Sequence, residues 1–252
     1  LDGKLIIDPA QACETWQEAI NPMPEVAGLH AVLDRLLALS AGTVDVALRR
    51  TWERLRGELP ALPLTADGEA LAPAQAWVPV RRNVENPELY AVFPYNLYGV
   101  GRERPLEPAR AAYARRLSRD GWGWQQDGVQ AAYLGLADEA ASILAANARR
   151  RHEGSRFPAF WGPNYDWVPD QCHGGNLMNT LQSMLLQAVG RKILVLPAWP
   201  RAWEVEFKLR APGVTTVEGE VRGGRLEALR VTPAARAADV VLGEGWSAPD
   251  AS

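Results

Sequence analysis

Apolar residues recur about every 3.6 positions through much of the first 190 residues, which predicts a mainly helical region. Residues 26–37 give the first such series, which Gly42 ends. Thr43 is the predicted cap of a second helix that runs to Leu55. Residues 176–188 form the most regular series, with leucines, methionines and an alanine on one face. Further helical segments are predicted at 107–118, at 125–151 with a break at Gly135, and as a short helix within 86–99.

After Gly190 apolar and charged residues alternate, which predicts β-strands. Val205, Phe207 and Leu209 alternate with charged residues, so one face of that strand is expected to be buried. We therefore expect a helical domain at residues 1–190 and a small β domain at residues 191–252. Extended segments are predicted at 4–7, 192–199, 203–210, 215–222, 225–232 and 239–245, with hairpin turns at Asp67-Gly68 and at Gly223-Gly224.

Composition excludes several classes of partner. The 252 residues carry a net charge of −3, which gives no electrostatic support for binding nucleic acid. No apolar window has the length that a membrane helix needs. Cys13 and Cys172 form neither a metal-ligand spacing nor a disulfide framework, and the three histidines give no zinc signature. We therefore expect no metal and no cofactor.

Ten tryptophans are the compositional outlier. Tryptophan is favoured where a flat apolar face must lie beside a wet edge, as in carbohydrate clefts and protein interfaces. Residues 157–176 combine aromatic rings with acids and amides, and three prolines make this segment a long, rigid loop. The alternative is an aromatic loop that fills a core. The candidate sugar-binding residues are Trp16, Trp122, Trp124, Trp161, Asn164, Tyr165, Asp166, Trp167, His173 and Asn176.

Three acidic residues next to aromatic residues are candidates for catalysis. Glu14 is close to Trp16, Asp127 follows two tryptophans, and Asp170 lies in the aromatic loop. Glycoside hydrolysis needs a carboxylic acid that protonates the leaving oxygen and a base on the opposite side. Each residue also has a structural interpretation, because acidic side chains at helix starts often cap the helix or oppose its dipole. The residues themselves leave both interpretations open.

Five segments carry a family resemblance: 9–16, 87–94, 121–128, 170–187 and 194–203. In this order they resemble the second half of the inverting α-L-fucosidases of glycoside hydrolase family 95 and their relatives. The resemblance covers about residues 3–210 and is more specific in arrangement than in identity. The family has Ser-Pro-Glu-Asn around its glutamate and an Asp-Gly-Asn motif. This chain instead has Ala-Cys-Glu-Thr-Trp and Asp-Gln-Cys-His-Gly-Gly-Asn, which leaves fucose specificity open.

The resemblance implies part of an (α/α)6 barrel followed by a small antiparallel β-sandwich. It implies Glu14 as the general acid and Asp170 as the acid that supports the catalytic base. We expect Asp170, or as the less favoured choice Asp127, to orient the water or to act as its base. It also implies an oligosaccharide or polysaccharide substrate and a periplasmic or extracellular location. Alternatives are a non-catalytic carbohydrate-binding or scaffold protein, a glycoside phosphorylase and a polysaccharide lyase.

The chain begins without an initiator methionine, and the water-activating asparagines of the family lie in an earlier part of the barrel. We therefore expect the remainder of the barrel as a partner, either in a preceding part of the same protein or in a second chain.

Overall fold

The computed structural model describes residues 3–119, 124–150 and 171–249. The fold is mixed, with helices in the earlier part and a β unit at the C-terminal end. Contacts divide it into two compact units. Unit 1 runs to Tyr98 and includes Arg104–Arg119, and unit 2 comprises Gly99–Glu103 and the described residues from Trp124 onwards. Within these ranges, no helix has the length and apolar character needed to cross a lipid bilayer.

Unit 1 combines a hairpin with helices, and its first long helix packs against a second helix and a 3₁₀ helix. The predicted extended segment at residues 4–7 forms no strand, and the hairpin begins after it. The elements are β1 (Ala10–Ala12), β2 (Trp16–Ala19), α1 (Met23–Leu37), a 3₁₀ helix (Ala41–Thr43), α2 (Val46–Glu58), a second 3₁₀ helix (Pro87–Ala91) and α3 (Glu107–Arg115).

Asp45, not Thr43, caps α2. Oδ1 of Asp45 accepts hydrogen bonds from the amides of Ala47 and Leu48 at 2.9 and 3.1 Å, as an N-cap side chain does. The Thr43 hydroxyl bonds that of Ser40 instead. The predicted cap was wrong because threonine and aspartate are both favoured at this position, and only the backbone geometry selects between them.

Unit 2 packs three helices against one another and ends in two three-stranded sheets. In the first sheet, the central strand pairs antiparallel with the strand before it and parallel with the last strand of the chain. The second sheet is an antiparallel meander. The elements are α4 (Asp127–Tyr133), α5 (Ala137–Arg149), α6 (Gln171–Leu185), β3 (Leu186–Val189), β4 (Lys192–Val195), β5 (Val205–Ala211), β6 (Thr215–Arg222), β7 (Arg225–Thr232) and β8 (Val240–Leu242).

The predicted C-terminal β unit is confirmed. The turn between β6 and β7 uses Gly223 and Gly224, whose φ angles are 52° and 73°, a conformation that glycine adopts without strain. Phe207 is buried between charged neighbours, as the alternation predicts. Helices α4 to α6 belong to the same unit as these strands, and the domain limit near residue 190 stays a prediction.

The bounds and the buried face of α6 differ from the prediction. The helix begins at Gln171, so His173 and the two glycines after it are helical, and residues 186–188 belong to β3 instead. Met178 and Leu181 belong to the predicted apolar face, yet they are 52% and 40% exposed. Thr180 is buried in their place, because the small Gly128 of α4 lets this part of α6 approach closely.

Gly128→Ala should lower the free energy of unfolding by about 1–3 kcal/mol, the usual cost of overpacking. A Cβ at residue 128 would lie 2.7 Å from Oγ1 of Thr180 and 3.3 Å from Cγ2 of Ile143. Gly175→Ala is the matched control, because a Cβ there meets no atom within 4 Å and alanine favours the helix. Denaturant unfolding should show a loss for the first variant and a gain for the second. Equal effects would contradict the close approach of α4 and α6.

Candidate functional site

Glu14 lies in the turn between β1 and β2, and its side chain is exposed. Cys13, which precedes it, has a φ of 49°, which turns the chain sharply at this point. Nδ2 of Asn83 donates a hydrogen bond to Oε2 of Glu14 at 2.9 Å. Oδ1 of Asn83 accepts from the Val84 amide at 2.8 Å, which fixes the orientation of the Asn83 amide group. The exposed Glu14 carboxylate is therefore held by Asn83, whose own amide group is oriented by the Val84 amide.

A second carboxylate, that of Glu85, binds the backbone of the same turn. Its Oε2 accepts from the Glu14 amide at 2.9 Å and from the Thr15 hydroxyl at 2.8 Å. The Glu85 amide donates to the Thr15 hydroxyl at 3.1 Å, and Thr15 is buried. These reciprocal bonds fasten residues 83–85 to the turn that carries Glu14. Since the Glu85 carboxylate accepts hydrogen bonds from the Glu14 amide and the Thr15 hydroxyl, its observed role is to hold the turn in place.

The side chains of Cys13 and Tyr90 form a poorly solvated pair next to this turn. Burial raises the pKa of the Cys13 thiol to about 12, although the hydrogen bond with Tyr90 acts in the opposite direction. The negative charge of Glu85 raises the pKa of Cys13 further. Burial also raises the pKa of the Tyr90 hydroxyl above its usual range. Both groups are therefore neutral near pH 7.

Cys13 should resist alkylation at pH 8, because its raised pKa leaves a very small thiolate fraction and the thiolate is the reactive form. We expect Cys13 to react at least about 10-fold more slowly than a free cysteine thiol, whose pKa is unperturbed. Iodoacetamide labelling of Cys172→Ser, followed by peptide mass spectrometry, measures this rate directly. Labelling of Cys13 at the rate of free cysteine would contradict the burial of its thiol.

Trp16 and Trp77 form an aromatic pair in unit 1. Their ring centroids lie 6.1 Å apart with 52° between the ring planes. Both rings are half-buried and pack on a small core of alanines. They line a groove of about 300 Å³, which we call the Trp groove. Its other lining residues are Thr65, Ala70, Leu71, Pro73, Pro79, Glu88, Ala112, Arg115 and Leu117.

In unit 2, His173 and Asn176 bond to backbone carbonyl groups. Nε2 of His173 lies 3.0 Å from the carbonyl oxygen of Asn147, and Nδ2 of Asn176 donates to the carbonyl oxygen of Gln125 at 2.9 Å. His173 is buried, whereas Asn176 is half-buried. These bonds tie α6 to the end of α5 and to the segment before α4. The role of both residues as sugar ligands stays a prediction.

Asp127 is the first residue of α4, and its side chain is buried. An acidic residue in the first turn opposes the helix dipole, which agrees with its structural interpretation. Trp124 lies three residues earlier and is half-buried. The other predicted site residues of this part of the chain lie outside the described residues, namely Trp122, Trp161, Asn164, Tyr165, Asp166, Trp167 and Asp170.

The sequence singles out Glu14 and Trp16 as candidates but gives no signal for their neighbours Asn83, Glu85 and Trp77. These three follow the proline-rich connection at residues 58–80 or lie within it, and no period marks them. They are separated from the hairpin by about 60–70 residues, so no local pattern signals the contact.

In the described ranges, no three His, Cys, Asp or Glu side chains gather in a way that could hold a metal ion. No family model matches this chain, and no curated protein matches it significantly.

Proposed function

We propose that this chain is part of a glycoside hydrolase of the α/α-barrel type, similar to the inverting α-L-fucosidases, in which Glu14 protonates the glycosidic oxygen. The observation that carries the proposal is the exposed Glu14 carboxylate, which Asn83 holds at 2.9 Å on a turn that leads into Trp16. A carboxylic acid that protonates the leaving oxygen is one of the two groups that glycoside hydrolysis needs.

The hydrogen bond to Glu14 indicates which of its oxygen atoms would carry the proton. Nδ2 of Asn83 donates to Oε2, so a proton on the carboxyl group would reside on Oε1. Glu85 holds the turn through the Glu14 amide and does not occupy the carboxylate. Glu14 would therefore be positioned without being neutralised by an ion pair.

In the inverting reaction, a second carboxyl group activates water on the opposite face of the sugar. We assign that role to Asp170, with Asp127 as the less favoured choice. The predicted aromatic residues of the loop at 157–176 would stack on the sugar, and His173 and Asn176 would bind its hydroxyl groups.

The exposed apolar side chains of two helices support the architectural part of the proposal. Leu29 and Val32 on α1 are 40% and 51% exposed, and Met178 and Leu181 on α6 are exposed to a similar extent. Such faces are suited to packing against further helices, as in an α/α barrel. The remainder of that barrel would be the partner that covers them.

The second candidate is a carbohydrate-binding or scaffold protein without catalysis. The observation that favours it is the open Trp groove, which can bind a sugar whether or not Glu14 acts as an acid. A glycoside phosphorylase and a polysaccharide lyase on the same architecture are the enzyme alternatives.

The reaction class is tested with the natural full-length protein and α-L-fucose-terminated oligosaccharides, followed by proton NMR. We expect fucose to be released without phosphate and to appear first with the anomeric configuration opposite to that of the substrate. Turnover that requires phosphate would indicate a phosphorylase, and an unsaturated product that absorbs in the ultraviolet would indicate a lyase. Binding without any product would refute the hydrolase and favour the binding protein.

A further inference from the structure

We propose that the Trp groove is a binding subsite for a neutral sugar unit of an oligosaccharide, separate from the sugar that Glu14 would protonate. The identity of the ligand as a carbohydrate rests on the proposed function. The existence of the groove and its chemistry rest on the described residues of unit 1 alone.

The geometry of the two indole rings leaves aromatic surface available to a ligand. At 52° and 6.1 Å, the Trp16 and Trp77 rings are tilted and do not stack in parallel, and both line the groove. Beneath them the core consists of Ala12, Ala19 and Ala74, all of which are buried. The indole rings therefore extend from a small core into the wall of a groove, where an apolar sugar face can stack.

Two prolines make the groove rigid before any ligand binds. Pro73 and Pro79 flank the segment that carries Trp77, and proline fixes its own φ angle. The Ile20 and Met23 amides also bond to carbonyl groups of this segment, at Ala76 and Pro73. A groove that is formed in advance loses less conformational entropy when it binds, which favours a small ligand with few contacts.

The charges at the rim favour a neutral ligand. Arg115 lines the groove, but it forms ion pairs with Asp67 and Glu69, so its positive charge is compensated. Glu88 adds an acidic group to the lining, whereas the Thr65 hydroxyl is bonded to Asp67 and to the Ala70 carbonyl. The lining is therefore mainly apolar and has no net positive charge, which suits the apolar face of a neutral sugar better than a phosphate or carboxylate ligand.

Size and position identify the occupant further. A groove of about 300 Å³ is at the lower end of the range for small-molecule sites, which suits a single sugar unit. Trp16 follows Glu14 by two residues, so their Cα atoms are at most about 7 Å apart. The two residues are thus close enough for one oligosaccharide to contact both. The expected substrate extends beyond the cleaved linkage on one side.

The test measures binding separately from turnover. In full-length protein with Glu14→Gln, calorimetry with α-L-fucose-terminated oligosaccharides of two to five units should show affinity that rises with length. Trp77→Ala should weaken binding of the five-unit probe about 5- to 10-fold and leave the two-unit probe unchanged, because it removes one stacking surface. Trp77→Phe, which keeps an aromatic face, should retain most of the affinity.

Two further variants keep the test decisive if Trp77→Ala is unstable. Leu117 is 63% exposed and lines the groove. We therefore expect Leu117→Ser to fold and to weaken binding of the five-unit probe by a smaller factor than Trp77→Ala does. Trp246→Ala removes a half-buried tryptophan of unit 2, which stacks with Arg201, and should have no effect. Unchanged affinity of Leu117→Ser for the five-unit probe, with no dependence of affinity on probe length, would overturn the subsite.

The failure of this inference is distinct from the failure of the proposed function. Hydrolysis together with binding that does not depend on probe length would refute the subsite but not the proposed hydrolase function. Length-dependent binding that requires Trp77, without any hydrolysis by the protein that retains Glu14, would support the subsite and refute the hydrolase.

Discussion

Glu14→Gln should lower kcat of the full-length protein by about 10²–10⁴-fold, because the amide cannot protonate the leaving oxygen and general acid catalysis contributes a factor of this size. Affinity for the oligosaccharide should change little, since glutamine keeps the shape of the side chain. Steady-state kinetics and calorimetry on the same preparation separate these two effects. Aryl glycosides with very acidic leaving groups should show a much smaller loss in kcat, because their departure does not need a proton.

The control for this prediction is Glu18→Gln. Glu18 lies in β2 of the same hairpin and is also exposed, so its substitution changes the net charge by the same amount. Its kcat should equal that of the wild type. Asn83→Ala removes only the bond that orients Glu14 and should cost less than Glu14→Gln. Full activity of Glu14→Gln on natural oligosaccharides, or an equal loss for every leaving group, would refute the role as general acid.

Gly243→Ala should lower the free energy of unfolding by at least about 3 kcal/mol, the upper end of overpacking costs. Gly243 follows β8, and its amide donates to the carbonyl oxygen of Val195 in β4 at 2.8 Å. A Cβ at residue 243 would lie 2.0 Å from the carbonyl oxygen of Leu196 and 3.1 Å from Cα of Pro197. Both obstacles are backbone atoms, so no side-chain rotation relieves the contact. The strand must move away from β4, which breaks the parallel pair. Urea unfolding followed by circular dichroism measures the loss.

Gly190→Ala is the control within the same sheet. Gly190 lies in the turn between β3 and β4 with a φ of 58°, and a Cβ there meets no atom within 4 Å. Its cost is therefore conformational only, about 1–2 kcal/mol for an L-residue in the left-handed region. Equal destabilisation by the two variants would show that the backbone contact at residue 243 can relax.

The strands of the C-terminal region were predictable because their side-chain period is local. In β5 to β7, charged and apolar residues alternate, and paired glycines mark the turn between β6 and β7. The helix breaks were also predictable where a glycine ends a series, as Gly135 does between α4 and α5. The buried face of α6 was not predictable from hydrophobicity, because a close approach to Gly128 buries the small polar Thr180 and leaves Met178 exposed.

For the candidate site, the position of Glu14 in a turn beside an aromatic residue follows from the sequence. Its partners do not. Asn83 and Glu85 lie in a segment with no period, and their hydrogen bonds to the turn join residues about 70 positions apart. Trp77 and Trp16 also pack together although they are about 60 positions apart in the sequence. Contacts over such separations depend on how the connecting chain folds back, which no short-range pattern contains.

The sequence by itself determined which residue types could do chemistry and where the helical series gives way to strands, because both depend on side-chain identity and local period. Only the tertiary structure decided which side chains hold Glu14, which ring faces Trp16 and which residues of α6 are buried. The physical reason is that burial and hydrogen bonding are properties of pairs. A pair forms where the fold brings two distant segments within a few ångströms, as it does for Glu14 and Asn83.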